Sequence, residues 1–236
     1  MPGRDARQVD GKPTGIRYRI AVEVDHVRGH QMATRRYSGN VFVNCPFDHH
    51  YEPLFYGTIF TVFDCGFVPR CAMEVDDGAQ VRIDKIMKII GECRYGIHDL
   101  CRTAPDSQSG LPRFNMPFEL GLFMGAKKYG DKLQQTKSAL IMDTEAYRYQ
   151  SFISDIAGQD IKAHENNVET AIGLIRNWLR QSTRRTTIPG GKAIAKRYQE
   201  FQKALPSIRS ELRLDADEVS YADYTHIVET WLRQNG

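Results

Sequence analysis

Five short strand-like runs, each followed by a stretch of helical period, constrain this chain more than anything else in it. NVFVN (40–44) reads as a buried strand. HYEPLFYGTIFTVFDCG (50–66) carries apolar residues at helical spacing and stops at Gly66, and FVPRCAME (67–74) returns to strand-like composition. QVRIDKIMKIIGEC (80–93) predicts a second amphipathic helix, RYGIHDL (94–100) a third strand, and a Pro/Ser/Gly-rich loop follows at 103–112. RFNMPFELGLFMGAKKYG (113–130) predicts a helix opening just after Asn115, with Pro117 in its first turn and Lys127, Lys128 and Gly130 at its end. KSALIMD (137–143) is the clearest strand, AYRYQSFISDIAG (146–158) a helix, DIKAH (160–164) a short strand and VETAIGLIRNWLR (168–180) the closing helix.

Strands alternating with helices imply parallel strands joined by right-handed crossovers, hence an α/β fold: an open parallel sheet of about five strands with helices on both faces. Residues 1–39 form an N-terminal extension, partly disordered, in which RYRIAVEVD (17–25) alternates enough for a strand. The α/β domain covers 40–180. Residues 181–236 hold a linker, STRRTTIPGGK, and two helices, a C-terminal appendage either packed on the core or used for a partner.

Composition excludes several classes. No apolar run approaches the roughly 18 residues of a membrane span, and the N-terminus lacks an apolar signal-peptide centre. The five cysteines are odd in number with no CxxC pair, so the expectation is a cytoplasmic protein with reduced thiols and no metal site. Residues 40–179 carry 14 basic against 18 acidic side chains and the ends a small basic surplus, which reads as solvated tails and argues against nucleic acid as a partner.

In an open parallel sheet, ligands sit outside the carboxyl ends of the strands. After the first strand come Asn44, Cys45, Phe47 and Asp48; after the second, Glu74, Asp76 and Asp77; after the third, His98, Asp99, Arg102 and Thr103; Asn115 and Glu119 open the next helix. GxGxxG, GxxxxGK[ST], HExxH and GxSxG are all missing. Each candidate has a plainer reading. Glu119 fits the favourable field of a helix N-terminus, worth about 0.3–1 kcal/mol; Asp76-Asp77-Gly78 fits a turn; Cys45 fits a small buried hydrophobe; Phe47, Tyr51, Phe55 and Tyr56 fit a core cluster. What needs explaining is that Glu119 falls on the apolar side of its helix.

Taken together, IMKIIGECRYGIHDLCRT and NMPFELGLFMGAKKYG resemble a segment of the nucleoside 2-deoxyribosyltransferase-like and TIR-like families, over about 40 residues. The resemblance implies a flavodoxin-like fold and a nucleotide N-glycosidase: a hydrolase or ribosyltransferase acting on NAD or on a nucleoside or nucleotide, bound as substrate and not as cofactor. It puts the catalytic carboxylate on Glu119 and sugar or base contacts on Asp99 and Asn115. Asn44, Phe47, Asp48, Asp76, Asp77 and Arg82 complete the expected substrate-binding set, with Arg70 or Arg82 for a phosphate. Gly121 and Gly125, four residues apart, would let the helix approach the sheet. The resemblance also suggests a bacterial defence or stress effector. The alternatives are a non-catalytic nucleotide sensor and a TIR-like scaffold, either signalling to a protein partner or to further copies of the chain through the C-terminal helices.

Overall fold

The computed structural model describes residues 34, 36–74, 77–103 and 110–235. The predicted N-terminal disorder and the strand at 17–25 lie outside these residues. Strands β1 (Asn40–Asn44), β2 (Val68–Arg70), β3 (Tyr95–Asp99), β4 (Ser138–Asp143) and β5 (Lys162–Ala163) form one sheet in the order β2-β1-β3-β4-β5, every pair parallel. The helices that follow β1 are α1 (Glu52–Asp64), α2 (Arg82–Gly91), α3 (Asn115–Tyr129), α4 (Val168–Thr183), α5 (Gly191–Leu212) and α6 (Tyr221–Asn235). This is the flavodoxin-like doubly wound order, whose winding reverses between β1 and β3 and opens a crevice at their carboxyl ends.

Period two sorts the strand residues between two covered faces. Val41, Val43, Tyr95, Ile97, Leu140 and Met142 pack under α1 and α4, while Phe42, Ala139 and Ile141 meet α2 and α3 on the other side. On that second face a Cβ at Gly96 would stand 2.8 Å from the Phe123 ring and 2.7 Å from His98 Nε2. The close approach of α3 to the sheet therefore depends on Gly96 of β3. Gly121 and Gly125 were expected to provide it, but a Cβ at either position would meet nothing within 4 Å, so neither faces the sheet.

α1 is apolar on every side. Leu54, Phe55, Gly57, Thr58, Ile59, Phe60, Thr61 and Val62 are all buried, which requires cover on two sides. The sheet gives one. The C-terminal helices give the other: Phe60 packs its ring against Tyr198, Phe201 and Trp231, Arg197 pairs with Asp64 at 2.6 Å, and the Tyr221 hydroxyl donates to Pro69 O at 2.9 Å. Of the two alternatives for these helices, packing on the core is the one observed, and everything from Tyr37 onward forms one compact unit. A Cβ at Gly57 would lie 2.6 Å from Val168 Cγ1 and 3.6 Å from the Tyr198 ring. Gly57→Ala should therefore cost about 1–3 kcal/mol in urea unfolding despite the better helix propensity of alanine. A variant as stable as the parent would show that α1 and α4 separate freely.

The stretch 146–158 is not the expected helix but two 3-10 turns, Arg148–Ser151 and Ser154–Ile156. Tyr147 stands at φ +65, Phe152 at φ −136 and Ile153 at φ −147, values that no α-helix can run through. Arg148 turns back instead to bind the Asp143 carboxylate at 2.9 Å and Leu100 O at 2.8 Å. All five cysteines are free thiols, and among the described residues no helix is long and apolar enough to cross a membrane.

Candidate functional site

β1 and β3 end side by side at the winding reversal, with Asn44 paired in register to His98. Asn44 is buried, and its amide donates to His98 Nδ1 at 3.0 Å and to Met116 O at 2.9 Å. That second bond ties the first turn of α3 to the end of β1. Because Nδ1 accepts, the neutral ring carries its proton on Nε2, and burial together with the charge of Lys137 drives the His98 pKa down to about 3. His98 is thus a fixed, uncharged strut. Asn44 is a positioning residue whose two amide N–H donors are both used by the protein.

One turn past Met116 the helix places Glu119 on its inner face, in line with Met116, Leu120 and Phe123. Its residue exposure is 8%, and among the described residues nothing forms a hydrogen bond or ion pair with it. Burial raises its pKa from 4.5 to about 7, opposed only by the positive charge of Arg82 at the start of α2. The carboxylate also lies close enough to the end of β1 to oppose ionisation of the Cys45 thiol. Two arginines that could have neutralised Glu119 are held elsewhere: Arg102 reaches Asp48 at 3.1 Å, and Arg113 lies 3.9 Å from the same carboxylate.

Asp99 has a different environment. It is fully buried, and its Oδ2 takes the Tyr51 hydroxyl at 2.6 Å and lies 3.0 Å from His164 Nε2, while Oδ1 accepts the Cys101 backbone N–H at 3.0 Å. Burial alone would raise its pKa, but His164, Tyr51 and the Cys101 amide hold it below the usual carboxylate value. Expected as a sugar contact, Asp99 has no exposed surface to offer a ligand; as placed, it joins the first helix entry to the ends of β3 and β5. Tyr51→Phe should cost about 1.5–3 kcal/mol at neutral pH, the range for a hydrogen bond to a charged group, measured by urea unfolding. A loss under about 0.5 kcal/mol would mean that the other two donors suffice.

Asp99, Cys101 and His164 also present donor atoms within 4.8 Å of one another, the spacing of metal ligands. The hydrogen bonding argues against that use. Asn166 N–H donates to His164 Nδ1 at 3.1 Å, so the neutral ring has its proton on Nε2, the atom that a metal would need bare.

The remaining candidates are spread around this centre. Phe47 is half-exposed, edge-on to Phe55 at 5.5 Å; Asn115 is exposed at the first position of α3; Arg82 is exposed at the first position of α2. Asp77 accepts from the Ala79 N–H at 3.0 Å, the plain turn role, and Asp76 lies outside the described residues. Arg70 is not available for a phosphate, since it is bound bidentately by Glu74 at 2.6 and 2.7 Å and by Glu92 at 3.0 Å. Tyr51 was expected only as part of an aromatic cluster and His164 not at all; the one signal for His164 is its place just after a strand.

Comparison with protein-family models, with curated proteins and with solved structures finds no match to this chain.

Proposed function

We propose that the chain is an N-glycosidic bond hydrolase or ribosyltransferase acting on NAD or on a nucleoside or nucleotide, with Glu119 as its catalytic carboxylate. The observation that carries this reading is a buried carboxylate with no partner among the described residues, at the crevice where this fold binds ligands. A helix-capping carboxylate would be exposed or bonded to backbone N–H groups, whereas Glu119 is a buried residue with no such bond among the described residues.

The chemistry suits the group. Breaking the bond between C1′ and the base nitrogen sends the electron pair off with the nicotinamide or base and leaves positive charge shared by C1′ and the ring oxygen. A carboxylate beneath that carbon stabilises the charge until water or an acceptor base adds to C1′ and gives up its proton. The resemblance of NMPFELGLFMG to the deoxyribosyltransferase-like and TIR-like pattern supports the same role. A part in defence or stress rests on that resemblance alone.

The test is incubation of the purified chain with NAD and a panel of nucleosides and nucleotides, with chromatography for free nicotinamide or base. Release that disappears in Glu119→Gln supports the reading. Release undiminished in that variant overturns it, and saturable binding with no release favours the nucleotide sensor.

A further inference from the structure

The last two helices were the expected partner surface, and both are taken up by the core. The sheet itself has one open place. Ser138 donates its N–H to Arg94 O at 3.0 Å and Met142 O accepts the Leu100 N–H at 2.9 Å, so these residues turn their main chains toward β3. Strand period two turns those of Ala139, Ile141 and Asp143 the other way. β5 meets only the end of that side: it pairs with Met142 and Asp143, and Asp143 O takes the His164 N–H at 3.0 Å. The Ala139 N–H and C=O and the Ile141 N–H are left with no partner among the described residues. Ile141 is only 6% exposed, and backbone donors left unpaired at such positions are rare. The opposite edge of the sheet is closed by contrast: β2 is three residues long, Pro69 in it has no N–H, and Pro69 O accepts from the Tyr221 hydroxyl.

A groove of about 600 Å³ lies at the open edge, lined by Ala139 and Ile141 of β4, by Met124, Lys127 and Lys128 of α3, and by Asp160 just before β5. Lys127 and Lys128 are exposed and have no ion pair among the described residues, whereas Asp160 is bound by Lys162 at 2.6 Å, so the groove is net positive. We propose that this edge takes an extended, acidic segment of a partner protein, added to the sheet beside β4. Main-chain donors and acceptors two residues apart are matched by another extended backbone, which makes the occupant a strand. The lysines set its charge. From Met124 to Lys128 the helix rises about 6 Å, close to the roughly 6.6 Å between neighbours on one face of a strand, so an apolar side chain over Met124 puts a carboxylate two positions along beside the lysines. A second copy fits less well, because two such edges would gather four uncompensated lysines along one seam.

The probe is a synthetic peptide, acetyl-Thr-Val-Thr-Glu-Thr-Val-Thr-Glu-amide, whose Val and Glu side chains share one face, with a control that carries Lys in place of Glu. Each is titrated into the full chain and followed by calorimetry and by amide hydrogen exchange. The acidic peptide should bind and slow exchange at Ala139 and Ile141 about tenfold or more, while Leu140 and Met142, already turned to β3, change little. The Lys control should bind about tenfold more weakly or worse, and raised salt should narrow the difference. Lys127→Glu combined with Lys128→Glu should weaken the acidic peptide by about the same factor and, both positions being exposed, melt with the parent. No binding of the acidic peptide at about 1 mM, binding that ignores the two charge reversals, or binding without protection at Ala139 and Ile141 overturns the proposal. So does a free chain in which those two amides are already as protected as Leu140. Sedimentation of the free chain as a dimer whose dissociation exposes the same amides assigns the edge to a second copy and overturns it as well.

Discussion

Glu119→Gln should leave the protein at least a hundredfold slower in base release and, above pH 7, more stable than the parent. The first effect corresponds to about 2.7 kcal/mol of transition-state stabilisation, the usual scale for one electrostatic group in a dry site. The second follows from linkage. The carboxyl ionises near 4.5 in the unfolded chain and near 7 in the fold, where burial opposes its charge. Below pH 4.5 both states are protonated and the group has no effect. As pH rises toward 7 the unfolded chain gives up its proton first, so stability falls, and above 7 the full penalty of about 3 kcal/mol is in place. Gln is neutral throughout. The difference between variant and parent in urea unfolding should therefore be near zero at pH 4.5 and approach that value at pH 8. A structural carboxylate predicts a destabilised variant at every pH above 5. Turnover should rise as pH increases through about 7, because the ionised form is the one that stabilises a cationic sugar; a rate that falls over that range would instead assign Glu119 to proton donation.

Such a group was visible in the sequence because helical spacing alone puts residue 119 in line with Met116, Leu120 and Phe123. The strands were equally visible. Their residues are covered on both sides, so NVFVN and KSALIMD read as apolar runs bounded by polar ends. What was hidden depends on partners remote in the chain. Nothing near Asp99 announces that Tyr51 and His164 will take up one of its oxygens, or that Arg102 will turn to Asp48 and leave Glu119 alone. The glycines misled for a related reason: without side chains, Gly121 and Gly125 carry no pattern to show which way they face, and the position that needed a glycine was Gly96 on the opposing strand. One signal was present and undervalued. EPLFYGTIFTVFD is apolar around its whole circumference, and a helix of that kind needs a second covering layer, which only the C-terminal segment remained to provide.

That layer sets the second large expectation, that the chain ending at residue 184 does not fold. Ile194, Tyr198, Phe201, Tyr221, Tyr224, Ile227, Val228 and Trp231 are buried in the same core as Phe55, Ile59 and Phe60 of α1. Burial of each large apolar side chain contributes about 1.5–3 kcal/mol, so losing eight of them matches or exceeds the roughly 5–15 kcal/mol by which a whole domain is stable. The shortened chain should aggregate or bind a hydrophobic dye, with no cooperative melting; a sharp transition within a few degrees of the parent's would show that the last two helices are a true appendage. Point variants grade the same claim without deleting anything. Trp231→Ala and Phe60→Ala should each cost about 3–5 kcal/mol. Their rings lie 6.0 Å apart, so the double variant should lose less than the sum of the two, with a coupling of about 0.5–1.5 kcal/mol. Strict additivity would mean that α6 lies against the domain without sharing its core.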